Sequence, residues 1–217
     1  MLTVIVPVGP KPSHKRWLTE CLESIRAQTT PPEEILIIDD GANLTQEEVG
    51  MDARIWRMPC VAGAVHAINF GVALAKYDLV LILASDDILR PWCVADCLRE
   101  YQLRNDPLGY YWMDVEYSDG RIQKVPSGMA MVTKQLWQHT GGYAIESTVG
   151  APDWMFLCAI DASKGKGGKL WQVKSHAPPY WFRLHGEQMQ ATQNMKYSSV
   201  LGLVRDIITK DWLAKWQ

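Results

Sequence analysis

Short apolar runs bounded by polar residues dominate the first part of the chain. They occupy Leu2–Val8, Ile35–Ile38 and Leu79–Ala84, and Ala53–Met58 is a further, weaker case. Each run is too short for a buried helix, and such runs are typical of strands that are buried on both faces. The pattern therefore predicts four strands of a central sheet.

Helical spacing of apolar residues separates these strands. Ser13 is expected to cap a helix with one apolar stripe over roughly four turns, formed by Trp17, Leu18, Cys21, Leu22 and Ile25. Small residues dominate Gly63–Ala75, which is typical of a helix pressed closely against a sheet, and Pro91–Tyr101 predicts a third helix. Strands that alternate with helices indicate right-handed βαβ units and a mostly parallel sheet.

The second half of the chain has a different pattern. Tyr110–Val125 alternates as two strands around a turn at Ser118, Asp119 and Gly120, which predicts an antiparallel hairpin. Gly128–Thr140 indicates a strand end and a short helix, and a strand is expected near Leu170–Val173. Together these features predict an α/β fold with a mostly parallel, Rossmann-like central sheet flanked by helices and an added antiparallel hairpin.

Length and composition favour one domain over residues 1–217. Its expected parts are a ligand-binding half (1–100), a second half that completes the site (101–195) and a C-terminal helix (196–217). The formal net charge of −2 gives no overall attraction to nucleic acid or to anionic membranes. No signal-like or membrane-spanning segment is evident, and five cysteines form no disulfide framework, so a cytoplasmic location is expected.

Two pairs of carboxylates follow predicted strands directly. Asp39 and Asp40 end the second strand, and Asp86 and Asp87 follow the fourth. Parallel strands bring their carboxyl ends to one edge of the sheet, where ligands bind. Adjacent carboxylates favour a divalent cation that carries phosphates, although each pair taken alone could be a solvated turn and a helix cap.

The chain resembles the family 2 glycosyltransferases, whose fold is called GT-A, over roughly its first 190 residues. The resemblance rests on the order of several motifs: VIVPV, LTECLESIRAQT, EEILIIDDGAN, AINFGVALAKYDLVLILASDDIL, GMAMVTKQLWQHTGGY, PDWMFLCAI and YWFRLHGEQM.

The resemblance implies roles for individual residues. Donor-nucleotide contacts are expected from Pro7, Val8, Asp40, Asn69 and Asp86, with Asp40 bonded to a uracil ring. Asp87 is expected to bind Mn²⁺ or Mg²⁺ directly, with His185 close to the metal, and Asp153 is the expected general base. Asn69 lies on a helix face that could point at a ligand, and the alternative is a satisfied polar residue on a packed helix.

These roles describe an inverting, metal-dependent transfer of sugar from a nucleotide sugar, with a UDP-sugar as the expected donor. Three departures from the family pattern, Ala84, Ile68 and Pro152, motivate a second hypothesis, a non-catalytic nucleotide-sugar-binding protein of the same fold. A sugar nucleotidyltransferase is disfavoured, because VGPKPSHKR after the first strand lacks a glycine-rich phosphate loop.

The acceptor is open between a saccharide, a lipid-linked sugar, a protein and a hydroxylated base in DNA. Four lysines could contact a phosphate backbone, although a solvated charged loop is the commoner explanation: Lys164, Lys166, Lys169 and Lys174. The apolar-striped helix Val200–Trp216 is expected to pack on the domain, with a membrane surface as the alternative.

Overall fold

The computed structural model describes residues 1–124, 126, 128, 130–143 and 169–186. Asp153, Lys164, Lys166 and the predicted helix Val200–Trp216 lie outside the described residues. Across the described ranges, every helix is too short or too polar to cross a membrane. The cytoplasmic location stays a prediction.

Strands and helices alternate through the first half and mix in the second. In chain order the elements are β1 (Leu2–Val8), α1 (Pro12–Arg16), α2 (Leu18–Arg26), β2 (Glu34–Asp39), α3 (Gln46–Val49), β3 (Ala53–Arg57), α4 (Ala64–Leu74), β4 (Leu79–Ile82), β5 (Ile88–Leu89), α5 (Cys93–Arg104), β6 (Gly109–Trp112), β7 (Val115–Tyr117), β8 (Ile122–Gln123), β9 (Ala130–Thr133), α6 (Lys134–Thr140), β10 (Lys169–Gln172) and β11 (Tyr180–Phe182).

A mostly parallel sheet forms the centre of the described structure, with the strand order β10-β6-β9-β4-β1-β2-β3. β1 pairs in parallel with both β2 and β4, and Val8 lies opposite Asp39 at the carboxyl end. β9 is antiparallel to β4 and to β6. The four predicted strands of the first half therefore lie side by side, and their carboxyl ends share one edge of the sheet.

Alternate residues of these strands face two hydrophobic layers. On one face, Val4 and Val6 pack with Leu22 and Ile25 of α2 and with Cys97 of α5. On the opposite face, Ile5 and Ile38 pack with Ala67 and Val72 of α4. Helices therefore cover both faces of the sheet, which explains why its strands are continuous apolar runs.

The helix predicted after β1 is two helices. The helix is interrupted at Trp17, whose φ of −108° and ψ of 4° are not helical. α1 begins with Pro12, Lys11 is its N-cap, and Ser13 is buried inside the first turn without a capping hydrogen bond. Proline is favourable at this position because its fixed φ suits the first turn, so the expected Ser13 cap is wrong.

The hairpin predicted over Tyr110–Val125 is also corrected. β6 belongs to the central sheet, and the hairpin consists of β7 and β8, which pair through Val115 and Gln123. β7 lies in a second sheet of order β5-β11-β7-β8. Tyr110 and Tyr111 are both fully buried, so β6 has no solvent-facing side and cannot be the first arm of an exposed hairpin.

Candidate active site

A cavity of about 390 Å³ opens at the carboxyl edge of β1, β2 and β4. Its lining combines the segment after β1, the ends of β2 and β4, the start of α4 and a segment near the end of the described chain. The lining residues are Pro7, Val8, Gly9, Pro10, Lys11, His14, Asp40, Val61, Gly63, Ala64, Ala67, Ala84, Ser85, Asp86 and His185. Five predicted site residues are therefore brought together: Pro7, Val8, Asp40, Asp86 and His185.

The two carboxylates at the end of β2 have different hydrogen-bond partners. Asp39 is fully buried and accepts hydrogen bonds from the N–H groups of Ala42 and Leu44, at 2.7 and 2.8 Å. Burial raises the pKa of Asp39, but these bonds and the Arg57 guanidinium outweigh it and hold the pKa below its usual value. Asp39 therefore fixes the loop after β2, while Asp40 lines the cavity.

Asp40 connects the cavity to the start of α4. Its two carboxylate oxygens accept from the N–H groups of Ala62 and Gly63, each at 2.7 Å. Gly63 has a φ of 93°, a backbone conformation that residues other than glycine rarely adopt. A carboxylate has more acceptor capacity than these two bonds use, so Asp40 can still accept from a ligand.

The side chains of Asp86 and His185 are in contact at the β4 side of the cavity. His185 Nε2 lies 2.8 Å from Asp86 Oδ2, and both side chains keep partial access to solvent. The two residues are ninety-nine positions apart in sequence. A carboxylate oxygen and an imidazole nitrogen are both groups that can bind a divalent cation.

Asp87 lies behind this pair, only 1% exposed. Its Oδ2 accepts from the hydroxyl of Tyr180 at 2.7 Å, and its Oδ1 accepts from the N–H of Arg183 at 2.9 Å. Burial and the neighbouring charge of Asp86 raise the pKa of Asp87, although both hydrogen bonds oppose this. The buried position leaves Asp86 more accessible to a ligand than Asp87, and direct metal binding by Asp87 stays a prediction.

Arg183 connects the segment before His185 to α2 and to the turn after β4. Its guanidinium donates to Glu20 at 2.6 Å and to the carbonyl oxygen of Asp86 at 3.0 Å. It also lies over the ring of Trp17, 5.1 Å from the ring centre, and the same ring contacts His185 at 4.5 Å. The break between α1 and α2 at Trp17 thus supports the position of His185.

The side chain of Asn69 forms hydrogen bonds within the protein. It is not among the described residues that line the cavity. Its Oδ1 accepts from Trp137 Nε1 and from the N–H of Tyr143, both at 2.9 Å, and its Nδ2 donates to the Tyr143 carbonyl oxygen. These bonds join α4 to the end of α6, which favours the alternative of a satisfied polar residue over the predicted donor contact.

The pair Asp86 and His185 fits a divalent cation that also binds a diphosphate. The described residues contain no group of three or more His, Cys, Asp or Glu side chains that could enclose a metal ion. Mg²⁺ commonly takes only one or two protein ligands and completes its shell with phosphate oxygens and water. Two accessible protein ligands at the cavity wall match that requirement.

Sequence reasoning did not identify several residues of the site. His14 and Lys11 line the cavity, and Tyr180 and Trp17 support Asp87 and His185. Tyr180 and Arg183 do belong to the motif YWFRLHG. No spacing rule singles out the other three, because their positions depend on the break at Trp17 and on the path of the chain after β1.

Comparison with known proteins identifies the family to which the chain is similar. The family model described as glycosyl transferase family 2 matches residues 3–158. Glycosyltransferase GlyG of Streptococcus pneumoniae serotype 4 is 27% identical over 168 residues, which cover 72% of this chain and 52% of that protein. A UDP-Gal:alpha-D-GlcNAc-diphosphoundecaprenol beta-1,3-galactosyltransferase of Escherichia coli is 30% identical over 126 residues, or 51% of this chain and 45% of that protein. The chain thus spans about half the length of these curated relatives.

Solved structures share the fold. S. aureus TarS 1-349 in complex with UDP-GlcNAc aligns with a TM-score of 0.72 at 14% identity, covering 97% of this chain and 67% of that one. The complex of the same protein with UDP aligns with a TM-score of 0.68 at 16% identity, covering 97% and 66%. The predicted GT-A-like fold is confirmed. Since the family model spans most of the sequence, the chain belongs to glycosyl transferase family 2.

Proposed function

We propose that the chain is an inverting, metal-dependent glycosyltransferase that moves a sugar from a UDP-sugar to an acceptor hydroxyl. The observation that carries the proposal is the cavity at the carboxyl edge of the sheet, where Asp40, Asp86 and His185 meet in a chain of this family. TarS, which has the same fold, was crystallised with UDP-GlcNAc and with UDP, and this supports the UDP-sugar as donor.

The order of the strands orients the donor. Asp40 follows β2 and Asp86 follows β4, and β1 lies between these two strands. Neighbouring strands are about 4.8 Å apart, so the two carboxylates lie at positions separated by about 10 Å. This separation suits a nucleoside diphosphate whose base is near Asp40 and whose diphosphate is near Asp86.

Asp86 and His185 would hold the cation, Mn²⁺ or Mg²⁺. The bound ion would supply positive charge beside the diphosphate, whose leaving oxygen gains negative charge as the sugar departs. Asp87, with its oxygens held by Tyr180 and Arg183, would keep the backbone of Asp86 in place. Arg183 would fix the segment of His185 through its bond to Glu20.

The acceptor hydroxyl must lose a proton as it attacks the sugar. We assign this step to Asp153, the acidic residue of the PDW motif, which lies outside the described residues. A single base on the face opposite the leaving group produces inversion at the anomeric carbon. The Escherichia coli relative is named for a sugar linked to a lipid diphosphate, which favours a saccharide acceptor over DNA.

The first test is nucleotide-dependent thermal stability. The melting temperature would be measured with UDP, GDP, CDP and ADP, each with Mn²⁺ or with EDTA. A ligand at a hundredfold excess over its Kd stabilises by about 2.7 kcal/mol, or roughly 5 to 10 °C for a domain of this size. We expect such a shift with UDP and Mn²⁺, and its loss in Asp86→Asn.

The matched control is Asp119→Asn, the same substitution at an exposed carboxylate in the β7–β8 turn, paired with Arg121. It should keep the full UDP shift. Asp153→Asn should keep the shift and lose transfer and slow hydrolysis of the UDP-sugar. No shift with any nucleotide in the wild type would refute the proposal, while binding without turnover of any donor would favour the non-catalytic alternative.

A further inference from the structure

The ring of His14 is packed directly on the backbone of Gly9 at the wall of the cavity. A Cβ atom placed on Gly9 would lie 2.5 Å from His14 Nδ1 and 2.8 Å from Cε1. Carbon atoms of neighbouring groups do not approach so closely, so any larger residue at position 9 would displace the ring. Both residues line the cavity.

The contact determines which edge of the imidazole remains available. Nδ1 is buried and has no hydrogen-bond partner, whereas the side chain as a whole is only partly buried. Because the Nδ1–Cε1 edge is against Gly9, the edge with Nε2 and Cδ2 is the one farther from Gly9. A neutral imidazole has one N–H, and without an acceptor near Nδ1 that proton belongs on Nε2.

His14 also lies on the β2 side of the cavity. Lys15, the next residue, pairs with Glu48 of α3 at 2.9 Å, and α3 follows β2. Pro10 contacts the turn after Asp40, since a Cβ on Gly41 would lie 3.5 Å from Pro10 Cβ. The segment that carries His14 is therefore beside Asp40, at the end assigned to the base of the donor.

We propose that His14, seated on Gly9, selects the base of the donor nucleotide. Its Nε2–H donates to a carbonyl oxygen of the base, while Asp40 accepts from the adjacent ring N–H. Uracil has a carbonyl oxygen beside that ring N–H at the position where cytosine has an amino group, so cytosine would place a donor against the Nε2–H of His14. The inference rests on the proposed function and names a residue that sets its base specificity.

Binding of UDP, CDP and inorganic pyrophosphate, each with Mn²⁺, would be measured by calorimetry on the wild type and His14→Ala. The loss of one hydrogen bond and of ring contact should raise the Kd of UDP by about 5- to 20-fold. The Kd of pyrophosphate, which has no base, should change by less than about twofold. His14→Gln, whose amide nitrogen can occupy the place of Nε2, should recover most of the UDP affinity.

Gly9→Ala tests the packing without removing the imidazole. It should weaken UDP binding as much as His14→Ala, because the new Cβ displaces the ring. In the double variant Gly9→Ala/His14→Ala the second change should add nothing, since the space is already open. If the Cβ acted by blocking the nucleotide itself, the double variant would be weaker than His14→Ala, and the claim that Gly9 acts by seating the ring of His14 would be overturned.

His176→Ala is the matched control, because this histidine packs on Trp92 and does not line the cavity. It should bind all three ligands like the wild type. UDP binding by the wild type with unchanged UDP affinity in His14→Ala and Gly9→Ala would overturn the role of His14 and leave the proposed function standing. A wild type that binds no nucleotide would overturn both.

Discussion

At the scale of single residues, the two members of each Asp-Asp pair have different roles, one in supporting the fold and one in lining the cavity. In each pair one carboxylate lines the cavity and its neighbour does not: Asp40 with Asp39, and Asp86 with Asp87. Asp40 is nearly as buried as Asp39, whereas Asp86 keeps partial access to solvent. The member outside the cavity is expected to affect stability, and the cavity-lining member is expected to affect ligand binding.

Asp39→Asn should lower stability strongly. The substitution replaces a buried acceptor of the Ala42 and Leu44 N–H groups and removes the partner of Arg57. The expected cost is about 2 to 4 kcal/mol, or a fall of roughly 5 to 15 °C in Tm. Asp52→Asn, which removes an exposed partner of Arg26, should cost less than about 1 kcal/mol. Equal losses in the two variants would contradict the role of Asp39.

The same carboxylate predicts a dependence of stability on pH. The pKa of Asp39 is lower in the folded protein than its usual value, so the unfolded chain binds the proton more readily. Its stabilising contribution is complete above the unfolded pKa of about 3.9 and is lost as the pH falls through the folded pKa. Urea unfolding from pH 6 to pH 3 should show the difference between wild type and Asp39→Asn shrinking below about pH 5. A constant difference would contradict this.

Tyr180→Phe should destabilise the fold through Asp87. The hydroxyl of Tyr180 is buried, donates to Asp87 and accepts from the N–H of Ala84. Removing it leaves a buried carboxylate oxygen and a backbone N–H without this partner, at a cost of about 2 to 3 kcal/mol. Thermal unfolding should show a fall in Tm of roughly 4 to 12 °C. Tyr117→Phe, a half-buried control, should change Tm by far less, and equal values for the two variants would argue against this role.

At the scale of elements, the apolar pattern was sufficient for the strands and most helices. β1 to β4, α4, α5 and the end of α6 at Gly141 match the predictions within a few residues. The break at Trp17 could not be predicted, because the apolar stripe runs through it and residues 13–26 contain no glycine or proline. The place of β6 could not be predicted either, since a strand buried on both faces and one arm of a hairpin can share a short apolar pattern.

The small residues of α4 correctly indicated close packing on the sheet, and Gly71 shows why. A Cβ at Gly71 would lie 2.7 Å from Ile5 Cγ2 and 3.1 Å from Ile38 Cγ1. Gly71→Ala should therefore destabilise by about 1 to 3 kcal/mol, despite the better helix propensity of alanine. Chemical unfolding checks this, with Ala73→Ser at an exposed position of the same helix as control. A stabilised Gly71→Ala would show that the helix can shift without cost.

At the scale of the whole molecule, the cavity combines residues from the beginning, middle and end of the described chain. Pro7 lies near the end of β1, His14 follows that strand, Asp86 follows β4, and His185 follows β11. The topology of parallel strands predicted that Asp40 and Asp86 would share an edge. The roles of His14 and Tyr180 were not predictable in the same way, because they arise from tertiary packing that no sequence period encodes.

The charge of the whole molecule leads to a prediction about the acceptor. The chain has 22 Lys and Arg residues against 24 Asp and Glu residues, so the molecule as a whole does not attract a polyanion. Transfer to a neutral saccharide should therefore change by less than about twofold between 50 and 200 mM salt. A DNA acceptor held by several phosphate contacts would lose about a thousandfold in affinity over the same range.

The measurement compares initial rates from one UDP-sugar to a small saccharide and to a duplex that carries a hydroxymethylated base, each at several salt concentrations. Of the four lysines predicted to contact a phosphate backbone, the described ones are Lys169, which lies over the ring of Trp171, and Lys174. Lys174→Gln should leave saccharide transfer unchanged. The saccharide assignment would be overturned if transfer to the duplex fell steeply with salt and weakened in Lys174→Gln. Such a result would link the rate to a contact between Lys174 and the DNA phosphates.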